Sequence, residues 1–100
     1  MSRALIERRL VDVAQRLRRA REELAVIDEQ LEVLNDAAEE ARVRSLVSET
    51  PLAQREYVEA QRHAAAMTRG RTAVAGSIAE LTATGDELLD RLAADGTAAS

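Results

Sequence analysis

Apolar residues recur through the first half of the chain at alternating steps of three and four. They fall at Ile6, Leu10, Val13, Leu17, Ala20, Leu24, Ile27, Leu31, Leu34, Ala38 and Ala41, with Arg3 one step before them. Such a repeat averages 3.5 residues and keeps one stripe of a helix turned toward a partner; sustained over about five heptads, it is the mark of a coiled coil. No Gly or Pro interrupts residues 2–48. The pattern therefore predicts one unbroken helix of about 70 Å, at ~1.5 Å per residue.

The second half keeps the rhythm less cleanly, at Ala53, Tyr57, Ala60, Ala64, Met67, Arg71, Val74, Ile78, Leu81, Gly85, Leu88, Leu92 and Asp95. Arg71 and Gly85 interrupt the stripe, and Gly70 and Gly76 each lower helix propensity by about 1 kcal/mol. This helix needs the first one for its stability. Residues 96–100 read as a disordered tail.

Thr50-Pro51 joins the halves and is a helix start. The residue before proline is pushed toward extended geometry, which an N-cap requires, and Thr is a good N-cap. Pro51 then takes the first helical position, where its missing N–H costs nothing. The expected boundaries are helix 1 over about 2–48, a tip at 48–51 and helix 2 over about 51–95. Two helices of similar length joined so tightly form an antiparallel hairpin. The predicted class is all-α, an antiparallel coiled-coil hairpin that dimerises into a four-helix bundle.

The reversal sets a register. Ala41 falls opposite Tyr57, Leu34 opposite Ala64, Ile27 opposite Arg71, Leu17 opposite Leu81 and Val13 opposite Gly85. Several of these layers match large with small, as interdigitation requires. The outermost layer sets Arg3 against Asp95. Charge follows the same reversal. Residues 3–21 carry seven Arg and two acids, and would face five acids and one Arg in 77–95. Residues 22–40 carry eight acids and no Arg, and would face three Arg and one Glu in 58–76. Opposite blocks meet only if the chain folds back, and flanking charge sets orientation in coiled coils.

Composition narrows the function. Tyr57 is the lone aromatic residue and cysteine is absent, which leaves no thiolate metal site and no disulfide framework. All 14 basic residues are arginine; with the abundant alanine this points to a GC-rich bacterial genome. The net charge of −4 argues against non-specific nucleic-acid binding. No apolar run approaches the roughly 18 residues of a membrane span, and the N-terminus lacks a signal-peptide core. A cytoplasmic protein is expected.

No catalytic constellation can be assembled. His63 has Glu59 and Glu56 one turn away, a weak metal set that reads as a solvated helix face. The adjacent pairs Glu22-Glu23 and Glu39-Glu40 point to different sides of a helix. Gly70 and Gly76 lie within a helical pattern and form no phosphate loop. An elongated hairpin also lacks a concave pocket. The expectation is a protein that is not an enzyme, with no cofactor and no metal.

Apolar residues left outside the stripe suggest binding instead. Helix 1 has Val26 and Val33, with Leu5, Val11 and Ala37. Helix 2 has a smooth strip of Ala65, Thr72, Gly76, Ala79 and Ala83, with Ala73 and Leu89 beside it. Small residues at helical spacing admit another helix closely, from a partner protein or a second copy. At the tip, Ser45 and Ser48 hold the stripe, so Leu46, Val47 and Leu52 either cap the open end or present it to a partner. Arg71 sits in the stripe opposite Ile27. Its stem packs there while its guanidinium reaches Glu23 or Asp28, or it fixes register or meets a partner. Arg16, Arg18 and Arg19 form an anion-binding candidate, although most of that cluster would face the acids of residues 80–95.

The predicted shape resembles the long antiparallel hairpins of bacterial transcription regulators. Transcript-cleavage factors carry acids at such a tip, where this chain has only Glu49 among arginines. The anti-sigma coiled coils that bind cyclic di-GMP use E-x3-S-x2-R-x3-Q-x3-D, of which Thr68-x2-Arg71 is the nearest fragment here. The resemblance is one of shape and composition. Three functions follow as expectations: a coiled-coil interaction or scaffold module that binds proteins and self-associates as a homodimer; a transcription regulator of anti-sigma or RNA-polymerase-binding type; and a nucleotide binder using surface arginines.

Overall fold

The computed structural model describes residues 1–99, with side chains through Gly96. Its described residues form two α-helices and no strand, α1 at Arg3–Ser48 and α2 at Pro51–Ala99, which pair antiparallel as a coiled-coil hairpin. Local chemistry sets the boundaries. Ser2 caps α1, its Oγ accepting the Leu5 N–H at 3.2 Å. Thr50 caps α2 in the same way, its Oγ1 accepting the Ala53 N–H at 3.1 Å, with Pro51 in the first turn as expected. Between the helices Glu49 turns left-handed, with φ of 49°. That conformation commonly ends a helix.

Contacts divide the described chain into two compact units, Met1–Glu23 with the segment from Val74 onward, and Leu24–Ala73. In the first, Ile6, Val13 and Leu88 are buried, and Leu10, Leu17, Leu81 and Leu92 pack on them. Val13 and Gly85 form the expected layer: Val13 Cγ1 lies 3.4 Å from where a Cβ on residue 85 would sit. In the second unit the buried positions are small, namely Ala41, Ser45, Ala53 and Ala64. Leu24, Ile27, Leu31, Leu34, Tyr57, Met67 and Arg71 are half-buried around them. The predicted stripe is thus the one the fold covers, except at its outer ends, where Arg3 and Asp95 are exposed, and at the tip, where Ser48 is exposed.

Three expectations change. The second helix was predicted to end near 95 with a disordered tail over 96–100, but α2 continues to Ala99. Gly96 keeps negative φ and no proline follows, so nothing stops the alanine-rich run. Ser100 lies outside the described residues. Arg3 does not pair with Asp95; its Nε donates to Glu7 Oε1 at 3.1 Å, one turn along its own helix. Nor do the facing charge blocks of the first unit form ion pairs across the hairpin. Arg16 pairs with Asp12 at 3.0 Å and Arg91 with Glu87 at 3.6 Å, both within one helix. The shorter reach between neighbouring turns wins. No helix among the described residues is long and apolar enough to cross a membrane.

Candidate partner-binding surfaces

The tip belongs to the Leu24–Ala73 unit. Small residues close its interior: Ala41, Ser45 and Ala53 are all buried. Ser45 stays satisfied there by donating its hydroxyl to the Arg42 carbonyl at 2.7 Å. Leu46, Val47 and Leu52 take no part in that closure and remain 63%, 79% and 60% exposed. That exposure tells against the reading in which they cap the open end. Arg44 reaches Glu56 across the helices at 3.9 Å, whereas Arg55 makes no ion pair among the described residues. Apolar side chains beside exposed arginines make a surface suited to a partner's groove.

Two shallow grooves lie beside Leu34 and Met67 in the same unit. One, of about 670 Å³, is lined by Arg62, His63, Ala65, Ala66, Arg69 and Gly70 as well as those two residues. The other, of about 480 Å³, adds Glu29, Gln30 and Val33. The expectation of no concave surface was too strong. The alanines and Gly70 leave space that longer side chains would fill, and nothing lies within 4 Å of a Cβ built on Gly70. Val26 and Val33 are exposed, as are Ala65 and Thr72. The Thr72 hydroxyl is used internally, donating to the Thr68 carbonyl at 3.1 Å, so it adds no unmet polar group to the strip. Ala66 was missed by the sequence reading, although it stands one turn before Gly70. In the other unit Gly76, Ala79 and Ala83 are likewise exposed.

Arg71 takes the first of its readings. Its half-buried stem sits in the stripe, and its Nε donates to Asp28 Oδ1 at 2.5 Å. That bond holds the guanidinium pKa above its ordinary value. A second pair went unforeseen although its i,i+3 spacing was visible. Arg42 binds Glu39 through Nη2 at 2.6 Å and Nε at 2.9 Å. This bidentate bond lowers the Glu39 pKa and raises that of Arg42.

The arginine cluster of α1 is only partly committed. Asp12 holds Arg16, while Arg18, Arg19 and Arg21 make no ion pair among the described residues. A groove of about 370 Å³ nearby, over Val13, Leu81 and Leu88, mixes Arg9, Arg16 and Arg91 with Asp12 and Glu87. Its charges largely cancel, which makes it a poor anion site. No cluster of three potential metal ligands occurs among the described residues. His63 is exposed on the groove wall and is not drawn into a ligand set with Glu56 and Glu59.

No protein-family model matches the chain, and comparison with curated proteins and with solved structures returns no match.

Proposed function

We propose that the chain is a non-enzymatic coiled-coil module that works by binding another protein through its hairpin tip. One observation carries this reading: Leu46, Val47 and Leu52 stay exposed although the coiled-coil interior beneath them is already closed by Ala41, Ser45 and Ala53. Retaining three large apolar groups at a turn gives the monomer nothing and favours a partner that buries them, at roughly 25 cal/mol per Å² of apolar surface. Arg44 and Arg55 flank the patch and suit a partner surface that is apolar with an acidic rim.

The test is affinity capture from the cells that make the protein, comparing wild type with L46D/V47D. A specific protein retained by the wild type and lost by the variant is the expected result, with unchanged helical circular dichroism. Equal capture by both chains would remove the tip from the proposal.

A further inference from the structure

The two halves of α1 carry opposite charge, and although each faces a block of opposite sign on α2, most of their charged groups form no ion pair among the described residues. In residues 3–21, Arg3 and Arg16 are paired, while Arg8, Arg9, Arg18, Arg19 and Arg21 have no ion pair among the described residues. In residues 22–40, Asp28 and Glu39 are paired, while Glu22, Glu23, Glu29, Glu32, Asp36 and Glu40 have none. The blocks are consecutive stretches of one helix, so within a chain they meet only where they join. A second copy laid antiparallel along the first would bring each block onto its opposite, twice, by one two-fold operation.

The outer surface of α1 supports that operation residue by residue. A stripe of exposed positions at steps of three and four runs from Arg8 to Asp36, away from the buried seam. About a two-fold axis at Glu22, Arg8 falls opposite Asp36 of the second copy and Val11 opposite its Val33. Arg18 would fall opposite its Val26, with the arginine stem over the valine and the guanidinium toward the two Glu22 carboxylates that meet at the axis. Val11, Val26 and Val33 are exposed in the single chain, Val33 to 67%. Shallow depressions lie beside two of them, of about 420 Å³ at Ala4, Glu7, Arg8 and Val11, and of about 480 Å³ at Val33.

We infer that the chain forms a symmetric homodimer through the outer face of α1, with the arginine-rich half of each copy lying on the acidic half of the other. This deepens the reading as an interaction module by naming one partner, a second copy. It is tested on pure protein, so it fails or stands separately from the tip: L46D/V47D leaves the dimer intact.

The experiment is sedimentation equilibrium on the full chain, with circular dichroism as the check of folding. The expected species has twice the 10.9 kDa chain mass, and its dissociation constant rises about tenfold or more between about 0.05 and about 0.5 M salt. R8E and D36R each weaken the dimer about tenfold, and the double variant R8E/D36R returns to near wild type because both contacts are swapped together. R55E, on the other helix, leaves it unchanged. If R8E loses helicity, R8Q replaces it, with a smaller loss expected. A monomer at about 0.5 mM in low salt would overturn the inference. So would a dimer indifferent to R8E and D36R, or one abolished by A79E on α2 instead.

Discussion

Glu49 is the non-glycine residue with positive φ among the described residues. A Cβ in the left-handed region costs about 1–2 kcal/mol, and glycine avoids that cost at the expense of a larger loss of backbone freedom. Glu49→Gly is therefore expected to stabilise the hairpin by about 0.5–1 kcal/mol, read as a higher urea midpoint with an unchanged slope. The sequence announced where the turn falls, through Thr50-Pro51, but not which residue would adopt the left-handed conformation, since no Gly or Asn marks it. Arg71 was legible to within two partners: a charged residue in an apolar stripe sends its head outward, Glu23 and Asp28 were both within reach, and the structure selects Asp28. Its side chain remains well exposed, so the pair contributes little to stability.

For the elements, α1 and α2 differ in how much of them could be read. The stripe from Ile6 to Ala41 holds the positions the fold covers because burial in a coiled coil follows spacing alone. The end of α2 was misread because the residues from Gly96 onward were taken as a tail. Glycine ends a helix by adopting positive φ, and here it does not. Packing strength also differs within the stripe. Ile6 is 1% exposed against Val13 and Leu88, so Ile6→Ala should cost about 2–4 kcal/mol in chemical denaturation. A loss below about 0.5 kcal/mol would mean that the site is filled by relaxation or is looser than the structure has it.

Considering the whole molecule, charge was the least legible part. The blocks reverse with the chain as predicted, yet the ion pairs of the first unit form within single helices. Matching net charge over a segment is a long-range property, whereas an ion pair needs two particular groups within about 4 Å. The apolar tip was visible as residues outside the stripe, whereas the grooves beside Leu34 and Met67 were not expected. The exposure of the tip residues was not visible, because it depends on small residues closing the interior beneath them.

That closure by Ala41, Ser45 and Ala53 also bears on how the hairpin assembles in time. A contact beside the two-residue connection closes a short loop, whereas joining Ile6 to Leu88 fixes most of the chain, and the entropy of closure grows with loop length. The layers that are cheapest to form are thus the weakest, and the strongest apolar layer comes last, as in a zipper started at its small teeth. Ala53→Gly should accordingly slow folding with little effect on unfolding, while Ile6→Val should mainly speed unfolding, both readable in the two limbs of a stopped-flow chevron. A chain assembled this way completes its turn before its termini meet.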